Sequence, residues 1–151
     1  MYEFLDYVVS DVMSKPTVVG PDATLAEVER ILEQTGFNGL PVVAKGALVG
    51  FVTSLDLLDA FRFTTDAMLP PYEEIMRRPV SRVMVHEPAV VQPRTRLTRV
   101  LEKMVATRNK SFPVVDPKSD RLVGVVARED VMRALRRAAS GSPAAPRPHQ
   151  D

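Results

Sequence analysis

Two short segments of the chain end in polar side chains that can contact a ligand. In the first segment, Thr53 and Asp56 stand three residues apart where the run Gly-Phe-Val gives way to a helical pattern. Side chains at positions i and i+3 of a helix start point to one spot. The hydroxyl and the carboxylate can therefore hydrogen-bond to a ligand, or they can merely cap the helix. The helix N-terminus also favours a nearby anionic group.

The second segment repeats this pattern with one change. Asp130 is kept, but Ala127 stands where the hydroxyl belongs. The missing hydrogen bond is typically worth about 0.5–1.5 kcal/mol net, so the second segment is the weaker ligand site. We expect Arg128, which lies between them, to pair with the neighbouring Glu129 or to face solvent.

Other types of site find little support. The chain has no cysteine and only two histidines, His86 and His149, so we expect no metal site and no catalytic role. Gly36 and Gly39 match a GxxG sequence of RNA-binding modules, but a turn or helix C-cap explains them better. Arg133, Arg136 and Arg137 fit a solvated helix C-terminus, so we expect no nucleic-acid partner.

Composition describes a globular chain with an uneven charge. Of its 151 residues, 45% are hydrophobic and 26% charged, and no apolar run approaches the roughly 20 residues of a bilayer span. The N-terminus has no basic region typical of a secretion signal, and a reducing cytoplasm fits the absence of cysteine. Residues 1–61 carry 3 basic and 9 acidic side chains, whereas residues 62–151 carry 17 and 10. The basic half leaves room for a phosphate-bearing ligand.

An internal repeat supplies the elements that position the polar pairs. The opening Val-Ser-Asp-Val-Met at 9–13 recurs as Val-Ser-Arg-Val-Met at 80–84, and Pro-Val-Val and Leu-Val-Gly recur after it in the same order. Each copy predicts an extended piece, a helix, two strands joined by a turn, and a second helix. The expected boundaries are repeat 1 at 1–61, a linker with a short helical turn at 62–79, repeat 2 at 80–138, and a disordered proline-rich tail at 139–151.

The chain resembles the CBS-domain (cystathionine β-synthase-type) family. The resemblance rests on the two openings, the two Pro-Val-Val strands and the segment Gly-Phe-Val-Thr-Ser-Leu-Asp at 50–56, and it covers about residues 8–137. It implies an α/β (α+β) fold, a tandem CBS pair of two β-α-β-β-α repeats packed with pseudo-two-fold symmetry. It also implies two nucleotide clefts between the repeats, in which the aspartate of one repeat binds ribose and the other repeat supplies the adenine wall and phosphate contacts.

Carried over to this sequence, the resemblance predicts two groups of ligand-binding residues. The stronger cleft consists of Thr53, Asp56, Ala89, Asn109, Lys110 and Ser111. The weaker cleft consists of Thr17, Phe37, Asn38, Gly39 and Asp130. The first group is preferred because it unites an intact hydroxyl–carboxylate pair with a lysine.

The function implied is that of a regulatory sensor and not of an enzyme. The expected regulatory ligand is AMP, ADP, ATP or S-adenosylmethionine, with an unknown effector protein as partner. The alternative is a scaffold that dimerises without binding any ligand. The resemblance further implies a homodimer formed through helical faces, with Leu57, Leu58, Phe61, Val131 and Leu135 as its apolar residues. The opposite charges of the two halves favour a head-to-tail arrangement.

Overall fold

The computed structural model describes residues 2–62 and 71–141, which divide between two compact units. The acidic unit comprises Thr17–Pro88, and the basic unit combines Met1–Pro16 with Ala89–Asp151. These names follow from the sequence: the acidic unit has 6 basic and 10 acidic side chains, and the basic unit has 14 and 9. Most of the predicted tail, from residue 142 onward, and residues 63–70 of the predicted linker lie outside the described residues.

The acidic unit packs helices on a three-stranded antiparallel sheet. Its elements are α1 (Leu25–Thr35), β1 (Gly39–Ala44), β2 (Ala47–Thr53), α2 (Ser54–Asp59), α3 (Tyr72–Met76) and β3 (Val85–His86), and the strand order is β1-β2-β3. The predicted extended piece joins the sheet as a single parallel bridge between Val19 and Val42. Apolar side chains of α1, β1 and β2 fill its core, including the fully buried Leu25, Leu40 and Val52.

Local sequence signals set the limits of α1. The hydroxyl of Thr24 accepts a hydrogen bond from the backbone N–H of Glu27 at 3.2 Å, which caps the first turn. Gly36 ends the helix in the left-handed conformation, with φ of 72°, and its N–H donates to the carbonyl of Leu32 at 2.9 Å. Of the two predicted alternatives for this segment, a turn or a helix C-cap, the C-cap is confirmed at Gly36.

The basic unit repeats this arrangement with two strands. Its elements are α4 (Leu97–Thr107), β4 (Ser111–Val115), β5 (Leu122–Ala127) and α5 (Arg128–Ala139), with β4 antiparallel to β5. Val91 forms the parallel bridge to Val114. The core contains the fully buried Phe112 and Leu97, and it also takes in Phe4 and Val9 from the N-terminal segment. The mixed helix-and-sheet tandem fold expected from the sequence is confirmed.

The compact units do not coincide with the sequence repeats, because each opening packs with the other copy. Ser14 exchanges two backbone hydrogen bonds of 2.9 Å with Val125, and the sulfur of Met13 lies where a side chain on Gly124 would stand. In the acidic unit, Met84 of the second opening occupies the equivalent space beside Gly50. Both glycines therefore leave room for a methionine from the other repeat.

The helices of the described part of the chain are short. The longest, α5, has 12 residues, and none of those in residues 2–62 and 71–141 combines the length and apolarity that a bilayer crossing requires.

Candidate functional site

The Thr53–Asp56 pair lies at the junction of β2 and α2. Oδ2 of Asp56 accepts the backbone N–H of Thr53 at 2.8 Å and its hydroxyl at 3.0 Å. This contact caps the start of α2 and holds the side chain in one orientation. Nothing among the described residues donates to Oδ1 of the same carboxylate, and both side chains are half-buried. Asp56 thus caps its helix with one oxygen and keeps the other available as an acceptor.

The Asp130 carboxylate occupies the same position at the junction of β5 and α5, but both of its oxygens have partners. Oδ2 accepts the backbone N–H of Ala127 at 2.9 Å. Oδ1 pairs with the Arg133 guanidinium at 3.2 Å. Asp130 is also only 6% exposed. The predicted weakness of the second motif therefore has a second cause besides the missing hydroxyl, namely an internal ion pair.

Each carboxylate lies beside the loop that opens the first strand of its own unit. Gly39 is the strand partner of Thr53, and Ser111 is the partner of Ala127. The loop before Gly39 presents Phe37, which is 45% exposed, and the half-buried Asn38. A side chain could not be added at Gly39, since its Cβ would stand 2.9 Å from the carbonyl oxygen of Val52. An exposed aromatic ring and a half-buried amide thus precede the strand that pairs with the first motif.

The corresponding loop of the basic unit is held by Arg128. Its guanidinium donates to the carbonyls of Arg108 at 2.7 Å and Asn109 at 3.3 Å, and its backbone N–H donates to the carbonyl of Lys110 at 2.9 Å. Arg128 is exposed, as one of the two expected alternatives has it, but its guanidinium pairs with backbone carbonyls at the end of α4 and not with the Glu129 carboxylate, because carbonyls at a helix C-terminus attract a cation. The Lys110 side chain remains exposed, and no carboxylate in the described ranges pairs with it.

The predicted site residues are distributed over the two units. The acidic unit holds Thr53 and Asp56 together with the predicted weaker-cleft residues Thr17, Phe37, Asn38 and Gly39. The basic unit holds Asp130 together with the predicted stronger-cleft residues Ala89, Asn109, Lys110 and Ser111. Within a unit, the strand register brings Gly39 to Thr53 and Ser111 to Ala127. The grouping of the two clefts stays a prediction.

The sequence analysis missed the partners of two arginines at the second motif. Arg133 stands three residues after Asp130, a spacing that itself indicates a helix ion pair. Arg128 contacts carbonyls about twenty residues away, and no local signal reveals such a partner. The equivalent positions of the first repeat are Ser54 and Asp59, so the two motifs differ in charge as well as in the hydroxyl.

The other titratable side chains form no second candidate site in the part of the chain that the structure describes. No three histidine, aspartate or glutamate side chains gather there in a way that could hold a metal ion. The pKa of Tyr72 is raised above its usual value, chiefly by the negative charge of Glu29, whose carboxylate accepts the phenol hydrogen bond at 3.2 Å. This exposed pair has no part in either motif.

Comparison with known proteins identifies relatives along nearly the whole described chain. The CBS domain family matches residues 9–62 and 73–137. Inosine-5'-monophosphate dehydrogenase of Escherichia coli is 34% identical over 131 residues, which are 85% of this chain and 24% of that enzyme. Protein MJ1225 of Methanocaldococcus jannaschii is 30% identical over 85% of this chain and 45% of its own length. The chain thus spans only a quarter to a half of these curated relatives.

Solved structures that resemble the fold include two with adenosine compounds. CBSX2 of Arabidopsis thaliana in complex with AMP is 26% identical, with a TM-score of 0.74, over 88% of this chain and 98% of that one. The CBS domain pair of protein MJ0100, in complex with 5'-methylthioadenosine and S-adenosyl-L-methionine, is also 26% identical. Its TM-score is 0.70, over 86% of this chain and 96% of that one.

Proposed function

The chain belongs to the CBS-domain family, and we propose that it is a regulatory module that binds an adenosine compound through Thr53 and Asp56. The observation that carries the proposal is the open oxygen of Asp56. Oδ2 is engaged at the start of α2, so the carboxylate is held in place, while Oδ1 keeps its lone pairs for a ligand. An anchored carboxylate of this kind suits the two adjacent hydroxyls of a ribose, each of which can donate to it.

The ligand class is supported by the relatives. CBSX2 was crystallised with AMP, and the MJ0100 pair with methylthioadenosine and S-adenosylmethionine. These compounds share an adenosine and differ in what the 5' carbon carries. We propose AMP, ADP, ATP or an S-adenosylmethionine-like compound as the regulatory ligand of this chain. Ala89, Asn109, Lys110 and Ser111 are proposed to complete its contacts with the adenine and the phosphates.

The output of binding is proposed to be regulation of another protein. Ligand occupancy can only be transmitted if two shapes of the module bind the ligand with different affinity. Most of the length of the dehydrogenase lies outside its match to this chain, so we transfer no catalytic activity from it. We propose instead a non-catalytic role in the cytoplasm, with an effector protein as the responding partner.

The competing function is a scaffold that forms dimers and binds no ligand. The observation that favours it is that both carboxylates cap their own helices, a role that stabilises the fold whether or not a ligand is present. The weaker group around Asp130 fits this alternative in particular, because both of its carboxylate oxygens already have partners.

Thermal unfolding against a panel of adenosine compounds separates the two functions. We expect AMP, ATP, adenosine, methylthioadenosine or S-adenosylmethionine to raise the melting temperature in a saturable way. A ligand at 100 times its Kd adds about 2.7 kcal/mol, which corresponds to roughly 5–10 °C for a chain of this size. Guanosine and cytidine monophosphate serve as controls that carry ribose and phosphate without adenine. A melting temperature that no member of the panel changes would favour the scaffold.

A further inference from the structure

We propose that Arg133 keeps the second motif closed by occupying the carboxylate oxygen that a ribose needs. This inference rests on the proposed function, because it assumes that the aspartates of the two motifs are equivalent in what they can bind. It assigns Arg133 as the residue that limits the chain to one adenosine site. Arg133 itself acts on the ligand only through Asp130.

The contacts of Asp130 leave it no free oxygen. Ala127 donates its N–H to Oδ2, and the guanidinium of Arg133 donates to Oδ1. The Asp130 side chain is 7% exposed, whereas that of Arg133 is 36% exposed. The ion pair is therefore partly shielded from water, which strengthens it relative to an exposed pair. A ribose reaching Asp130 has to displace the guanidinium from a carboxylate that water hardly reaches.

The first motif shows what the second lacks. Three residues after Asp56 stands Asp59, which cannot donate to a carboxylate and instead pairs with Arg62 at 2.6 Å on the exposed side of the chain. Oδ1 of Asp56 consequently stays open. The two motifs share the same backbone contact between the aspartate and the residue that precedes the helix, so the difference at Oδ1 follows from the residue three positions later.

The charge of the neighbourhood supports this assignment. Arg133, Arg136 and Arg137 lie together on an open surface at the end of α5, and of these three only Arg133 has a carboxylate partner among the described residues. Arg136 lies on the same helix, has the same charge and does not contact Asp130. It is therefore the matched control for any effect of removing one positive charge from α5.

Calorimetric titration with AMP tests the proposal by counting sites. We expect one site per chain in the unmodified protein and two in Arg133→Ser, the second binding within about ten-fold of the first. Arg136→Ser should keep one. In the Asp56→Asn background, which closes the first motif, adding Arg133→Ser should restore AMP binding at least ten-fold, while adding Arg136→Ser should not. Arg133→Met, which keeps the aliphatic stem and its packing, provides the same test if the serine variant is unstable.

The remaining outcomes of this titration show whether the inference alone fails or the proposed function fails with it. One site in both the unmodified protein and a folded Arg133 variant overturns the inference and leaves the proposed function intact. Two sites in the unmodified protein, or weaker binding after the Arg133 change, also overturn it, the latter because Arg133 would then contact the ligand. No binding of AMP, ATP, methylthioadenosine or S-adenosylmethionine to any of these proteins overturns both.

Discussion

At the scale of single residues, the two oxygens of one carboxylate have different partners. The sequence shows the spacing of Thr53 and Asp56 and indicates two roles for them, helix capping and ligand binding, without deciding between the two. The structure shows that capping uses only Oδ2 of Asp56, so capping and ligand binding are compatible. The spacing of Asp130 and Arg133 indicates their ion pair, but which oxygen of each carboxylate remains open depends on rotamers that no sequence pattern specifies.

Lys110 provides a prediction about phosphate. Its backbone carbonyl is held by Arg128 at 2.9 Å, and its ammonium is exposed, so truncating the side chain should leave the fold unchanged. We expect Lys110→Ala to weaken AMP and ATP binding more than adenosine binding, by at least about three-fold, as loss of one charge–phosphate contact implies. Competitive titration of the three compounds measures this, with Lys118→Ala as an exposed lysine control. Equal losses for all three would show that Lys110 does not contact phosphate.

At the scale of elements, local sequence was sufficient to predict the order of helices and strands. It was not sufficient to predict which copy of the repeat each opening packs with. Capping at Thr24, the helix end at Gly36 and the two strands joined by a turn all follow from short-range preferences, and the structure has them. The two Val-x-x-Val-Met openings look alike, so nothing local says which copy each one joins. Their exchange depends on tertiary contacts, such as those of Met13 at Gly124.

A pair of substitutions tests that exchange. A Cβ at Gly124 would stand 2.7 Å from the Met13 sulfur and 3.1 Å from the carbonyl oxygen of Ser14. Gly124→Ala should therefore lower the free energy of unfolding by about 1–3 kcal/mol, as overpacking does. Adding Met13→Ala should recover part of that loss in denaturant unfolding, because the small side chain makes room. Adding Met84→Ala should recover none. Equal effects of the two methionine changes would contradict the exchanged openings.

At the scale of the whole molecule, charge and exposed apolar side chains bear on assembly. The predicted dimer face was wrong for Leu57 and Val131, which are buried in the cores of their own units at 8% and 4% exposure. On the same helices, Leu55, Leu58 and Met132 are 72%, 68% and 52% exposed. The resemblance pointed to apolar side chains on these two helices, but it did not identify which of those side chains face the core of their own unit.

The homodimer remains a prediction that salt can test. By sequence, the acidic unit carries a net charge of −4 and the basic unit a net charge of +5. This difference is smaller than the one between residues 1–61 and 62–151, because the first opening and the residues before it belong to the basic unit and the second opening belongs to the acidic unit. We expect a head-to-tail dimer that pairs opposite charges and weakens as salt is added. Sedimentation at low and high ionic strength measures the dissociation constant of the dimer.

Leu58→Glu should weaken the dimer, while Val105→Glu, at a 62% exposed position on α4, should not. A dimer that tightens with salt would contradict the arrangement.

The central claim is that the open oxygen of Asp56 binds the ribose of an adenosine compound, and an AMP titration of Asp56→Asn tests it most directly. Asparagine can still accept the backbone N–H of Thr53 through its carbonyl oxygen and cap α2. Its NH2 group, which donates and cannot accept a hydrogen bond, then replaces the open oxygen Oδ1. We expect AMP to bind at least ten-fold more weakly, a change of about 1.4 kcal/mol or more, with little change in the melting temperature. Asp59→Asn, the same substitution at an exposed position of α2, should bind AMP as the unmodified protein does. Unchanged AMP affinity in a folded Asp56→Asn protein would contradict the account.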